Sequence, residues 1–174
     1  AEFANFMTRP SSGYFSFNYI LQGAESAQLY HVDSYTFLDL STESIVEDTM
    51  SSQWDIGFNA TNIIANTGHN GGLQPLNIAF NLVDEAPLEG YGSLEASWYT
   101  YTMNNTPPHA VLPKENYTLT VMTPDELYAK FRVISYYKGN PDVNSQNFIN
   151  FIRPAARHYT IEYVLQKDGS RFFE

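Results

Sequence analysis

The stretch HYTIEYVLQ at 158–166 repeats its large residues every second position, with Tyr159, Ile161 and Tyr163 in phase. That period of two fits a strand with one buried face and does not fit a helix. The pattern recurs in GYFSFNYIL at 13–21, in SYTFLDLST at 34–42 and in QWDIGFN at 53–59. In QWDIGFN, Trp54, Ile56 and Phe58 are expected on one face, with Asp55 and Gly57 on the other. NYTLTVMTPDELYAKFRVISYY at 116–137 reads as a hairpin that turns at TPDE. NIIAN and SWYTYT at 97–102 are further strands, and QPLNIAFNLVDEAP at 74–87 is strand or loop between prolines. LEGYGSLEA reads as a turn or short helix, and SQNFINFIRPAARH at 145–158 as a short helix ending before Pro154. KDGS is a hairpin-type turn before the closing RFF. About eight short strands and almost no helical periodicity predict an all-β chain, folded as a sandwich or curled antiparallel sheet. At 174 residues with no linker or repeat, positions 1–174 read as one domain. The opening Ala-Glu-Phe has the look of a cloning remnant.

Charge narrows the partners. A net charge of −10, with nine scattered Lys and Arg, is the wrong sign for nucleic acid. The absence of cysteine removes disulfides, thiolate chemistry and covalent haem attachment through C-x-x-C-H. No apolar run approaches the length of a membrane span. No signal peptide is visible, which predicts a cytosolic chain or a mature one whose leader has been removed.

Catalytic motifs are absent: no P-loop, HExxH, EF-hand loop or GxSxG occurs. Asp55 and Glu162 are the carboxylates placed on strands, but acids on strand faces are usually solvated, so an enzyme is not expected. His31, His69, His109 and His158 stand too far apart in sequence for a helical metal site. One loop differs in kind. WYTYTMNNTPPHAVLP at 98–113 carries Met103 and His109 beside Trp98, Tyr99 and Tyr101. Thioether and imidazole are the donor pair that ligates haem iron in cytochromes c, and aromatic walls suit a porphyrin. The bland alternative is a methionine filling a gap in the core and a histidine on the surface.

Several segments, in order, resemble the HmuY-like family, haem-binding proteins of the Bacteroidetes outer membrane. They are QWDIGFNATNIIANTGHNGG, EAPLEGY, SWYTYT with its following loop, LYAKFRVISYYKGNP and HYTIEYVLQKDGSRFF. The resemblance spans residues 30–174 and leaves 1–30 unmatched. It implies a single largely β domain and non-covalent capture of b-type haem for iron supply. It also implies a secreted protein, or one held at the outer-membrane surface by a lipid anchor, which meets an outer-membrane receptor. The family's ligand after the tryptophan strand falls on Met103, and a histidine before the next strand matches His109. Segment 73–97, where the other ligand lies in haem-binding members, holds neither His nor Met here. The partner of Met103 is then His109, His69 or none. Trp98, Tyr99 and Tyr101 would cover the ring, and Lys114 or Arg157 would meet the propionates. The alternative is a haem-independent surface module that recognises a glycan or a protein partner with the same aromatics.

Overall fold

The computed structural model describes residues 11–17, 35–48 and 50–173. Two antiparallel sheets carry the fold. The first sheet has the order β1–β12–β11–β10–β6. Its strands are β1 (Ser11–Phe17), β6 (Gly72–Leu76), β10 (Thr118–Met122), β11 (Tyr128–Tyr137) and β12 (Ala156–Gln166). The second has the order β3–β2–β4–β5–β7. It comprises β2 (Thr36–Asp39), β3 (Ser44–Val46), β4 (Ile56–Asn59), β5 (Asn62–Ala65) and β7 (Leu94–Glu95). A separate hairpin joins β8 (Tyr99–Tyr101) to β9 (Val111–Pro113), and a short helix, α1, spans Gln146–Ile149. The all-β expectation holds. His31 and the part of the first expected strand beyond Phe17 lie outside the described residues.

Alternation explains the core. Tyr159, Ile161, Tyr163 and Leu165 of β12 point inward with Phe131 of β11, and meet Ile56 and Phe58 of β4. Phe58 bridges the sheets, its ring centroid 4.6 Å from Tyr159 and 6.5 Å from Phe131. Antiparallel sheets packed this way bury one face each, which is what period-two sequence demands. The 116–137 hairpin forms as expected, with Leu119 opposite Phe131 and Met122 opposite Tyr128.

Three local expectations need correction. Trp54 does not share a face with Ile56 and Phe58. It precedes β4 and stacks at 4.4 Å on Phe37, whose strand partner is Gly57. A Cβ on Gly57 would sit 3.0 Å from both Phe37 and Ile64, so the glycine permits that close packing. Asp55 is not solvated: it is 3 % exposed, and its Oδ2 accepts a 2.8 Å bond from the Leu40 amide. Finally, the chain after KDGS does not fold back on β12 as a hairpin. It crosses to residues 84–86, with Phe173 N donating to Asp84 O and Ala86 N to Arg171 O.

This crossing covers part of the outer face of the first sheet. Val83, Ala86 and Phe173 form a second small core there over Leu76, Tyr128 and Val164. Lys130 is buried beneath, its Nζ donating to the carbonyls of Phe80 (2.7 Å) and Val83 (2.8 Å). Pro75 falls within β6, the outermost strand beside β10. A proline is tolerated at such an edge because its missing N–H faces no partner.

Candidate functional site

The β8–β9 hairpin grows from Trp98. That ring is 2 % exposed, and its Nε1 donates to Thr61 O at 2.7 Å. It packs against Tyr99, Tyr136 and Tyr159, at centroid distances of 5.0, 6.1 and 5.7 Å. Trp98 is therefore a core residue that offers no face to a surface ligand. Tyr99 is half-buried against the same core. Tyr101 shares the face of Tyr99 on β8 but lies beyond the edge of the core and is exposed.

Beyond Tyr101 the loop is tied from inside and from the side. Buried Thr102 donates its hydroxyl to Pro107 O at 2.6 Å and accepts from Ala110 N at 2.8 Å. Arg153 donates Nη1 to His109 O at 3.0 Å and Nη2 to Pro108 O at 2.5 Å. Its guanidinium lies 4.2 Å from the Phe148 ring centre and 4.4 Å from that of Phe151. These ties hold Met103, His109 and Phe151 in left-handed backbone, at φ of 54°, 49° and 65°. That region costs about 1–2 kcal/mol for a residue with a Cβ, so an untied loop would relax. Thr102→Val removes both hydroxyl bonds without changing shape. It is expected to cost about 1–3 kcal/mol in urea unfolding and to speed amide exchange at Ala110.

The outcome is an exposed patch at one end of the sandwich. Tyr101 lies 5.8 Å and Phe151 6.3 Å from the His109 ring. Met103 is 58 % and Phe151 59 % exposed, and Ile152, next to Phe151 in sequence, is also exposed. The Tyr101 hydroxyl is 2.9 Å from His109 Nδ1. With Nδ1–H donating to that hydroxyl, Nε2 keeps its lone pair, the tautomer a metal ligand requires.

The other candidates are not gathered here. His109 N donates to Met103 O at 2.7 Å, so the two donors spring from one point of the loop. His69 is three residues before β6, and Gly72 pairs with Met122, which pairs with Tyr128. The Met103–His109 loop instead adjoins the far end of β11, where the Tyr137 hydroxyl accepts from Val111 N. Nine residues of extended strand separate those ends, roughly 30 Å. His69 bonds locally to Asn66, at 3.1 Å. Lys114 sits at the base of the hairpin, away from its tip, where its amide bonds Trp98 O. Arg157 is half-buried beside Tyr136.

The carboxylates do not form a catalytic pair either. Glu162, on β12 between the inward Ile161 and Tyr163, is bound by Arg132 at 2.5 Å. Asp55 belongs to the other sheet's margin, and burial, opposed by the Leu40 bond, raises its pKa to about 7. Among the described residues no group of three or more His, Asp or Glu is placed to hold a metal ion. No described helix is long and apolar enough to cross a membrane.

Sequence reasoning overlooked Phe151, Ile152 and Arg153. The run FINFIRP was read as a short helix, and α1 does form before Pro154. Phe148 caps the core, whereas Phe151 and Ile152 fall past the helix end and are left outside. The available signal was an apolar pair crowded against Pro154 with no strand to bury it.

No family model and no curated protein matches the chain. Solved structures do. The apo HmuY analog of Tannerella forsythia aligns over 94 % of this chain and 100 % of its own, at 11 % identity and TM-score 0.60. Apo PinO from Porphyromonas gingivitis aligns over 90 % and 98 %, at 11 % identity and TM-score 0.57. A protein of Bacteroides vulgatus described as HmuY_like and heme binding aligns over 74 % and 83 %, at 18 % identity and TM-score 0.49. On the near-complete overlap with the Tannerella protein, this chain has the HmuY-like fold.

Proposed function

We propose that the protein binds b-type haem non-covalently at the tip of the β8–β9 hairpin, with His109 Nε2 as the axial donor. The observation that carries this reading is the 2.9 Å contact of Tyr101 with His109 Nδ1, which orients the imidazole at an exposed aromatic patch. The donor set fits the group: a neutral imidazole and a thioether suit porphyrin iron and not a hard ion. Met103 is the alternative donor on the same loop, with the softer ferrous state favouring it. Tyr101, Phe151 and Ile152 supply apolar surface, and each 100 Å² withdrawn from water contributes about 2.5 kcal/mol. The reading assigns haem capture for iron supply, at the outer-membrane surface or in secreted form, with delivery to a receptor. Support for that setting is the likeness of fold to the Tannerella HmuY analog and the ordered sequence resemblance.

Haemin titration, oxidised and reduced, tests it. A saturable Soret change is expected, lost in the double variant Met103→Ala/His109→Ala. Tyr101→Phe, which frees the ring nitrogen from its orienting partner, should weaken binding about tenfold. No saturable change in either redox state, or an unchanged titration of the double variant, overturns the assignment. A second reading follows from both donors springing from one point of the loop. The same patch, without iron, would hold a glycan or protein partner by stacking. Such binding would survive His109→Ala and fall with Phe151→Ala.

A further inference from the structure

A second site lies at the other end of the same hairpin. Phe80, Lys114, Glu115, Tyr117, Arg132 and Ile134 are among the residues that line a cleft of about 390 Å³. That is the lower end of the range for small-molecule sites, room for a single ring. Its walls are fixed before any ligand arrives. The Tyr117 hydroxyl donates to buried Glu95 at 2.8 Å, and Thr118 ties the Ile78 carbonyl at 2.8 Å. Arg132 stacks 5.5 Å from the centre of the Phe80 ring, and its Nε and Nη2 both donate to one oxygen of Glu162. Its Nη1 has no hydrogen-bond partner among the described residues. Lys114 rests 5.5 Å from the centre of the Tyr117 ring and, among the described residues, makes no ion pair.

The charge placement is uneven. The chain carries −10 overall and has only nine Lys and Arg. Lys114 and Arg132 both line this cleft, and Lys130 lies 4.5 Å from the centre of the Phe80 ring behind it. An anion entering here meets Lys114 and the edge of Arg132 that Glu162 leaves uncovered, on aromatic walls that strengthen their field, with Glu115 as the opposing carboxylate of the lining. We propose that the cleft binds a small carboxylate borne on one six-membered ring. The carboxylate meets Lys114 Nζ and the remaining Arg132 donors, and the ring lies among Phe80, Tyr117 and Ile134. The shared chemistry comes from two sources, an aromatic acid or a carboxylated sugar.

Amide NMR on the labelled full chain at low salt tests this with benzoate and D-glucuronate, beside benzyl alcohol and glucose as neutral counterparts. Saturable shifts at Asn116, Tyr117 and Ile134 are expected with at least one acid and with neither neutral compound. Response to benzoate alone assigns an aromatic acid, to glucuronate alone a carboxylated sugar, and to both the class. Lys114→Gln, with an unchanged circular dichroism spectrum, should weaken the dissociation constant about tenfold, the scale of one charge-assisted hydrogen bond. Saturation by neither acid, equal response to the neutral compounds, or an unaltered constant in Lys114→Gln overturns the proposal. None of these readouts involves iron, so they stand or fall apart from the hairpin tip.

Discussion

Trp98→Ala is expected to lower the unfolding free energy by about 3–5 kcal/mol, the cost of deleting a fully enclosed large aromatic. The ring touches Tyr99, Tyr136 and Tyr159, and its N–H satisfies the Thr61 carbonyl. Truncation leaves a cavity at the root of β8 and a carbonyl without its donor. Urea unfolding followed by circular dichroism measures the loss. Tyr101→Ala, three residues on and pointing outward, should change stability by about 0.5 kcal/mol or less. It should still disturb the orientation of His109. The contrast separates the structural aromatic from the exposed one. A loss of under about 1 kcal/mol for Trp98→Ala would mean that the hairpin is not rooted in the core as described.

The contribution of Asp55 to stability should fall as pH rises from about 4 to 7. Burial raises its pKa from 3.8 to about 7, with Asp39 and Asp125 adding to the rise and the Leu40 amide opposing it. For an acid whose folded pKa is raised, the folded chain holds a proton that the unfolded chain has released. Below pH 3.8 both states are protonated and Asp55 imposes no penalty. Between the two values the penalty grows, and above about 7 it is complete, on the order of 4 kcal/mol. Carboxylates held low in the folded state have the opposite slope, so the informative quantity is the difference between two proteins. Urea unfolding from pH 4.5 to 8 should show the native chain losing stability relative to Asp55→Asn as pH rises. Asn keeps an oxygen for the Leu40 amide and carries no charge. Parallel stability profiles for the two proteins would rule out a raised Asp55.

The periodic elements were legible because a strand's burial pattern is local. Tyr159, Ile161 and Tyr163 read as one face, and that face is the core. The hairpin at 116–137 was equally clear, since its turn and its alternation are adjacent in sequence. Asp55 was misread for a stateable reason. The alternation of 53–59 slips just before β4, and nothing in QWD marks the slip. The fate of RFF was hidden too, because its partner strand segment lies about ninety residues away, at 84–86.

The candidate site divides along the same line. Sequence alone determined the class of fold, the aromatic strand at 97–102 and the presence of Met103 and His109 on one loop. Those follow from composition and short spacing, which act within a few residues. Tertiary structure alone decided that Trp98 turns inward and Tyr101 outward, and that His69 belongs to the other end of the sandwich. It also brought Arg153 and Phe151 to the loop from some 45 positions away, and Lys114 to Arg132 across the cleft. Those neighbours are set by strand register and sheet packing, which place residues by three-dimensional closure rather than by their distance along the chain.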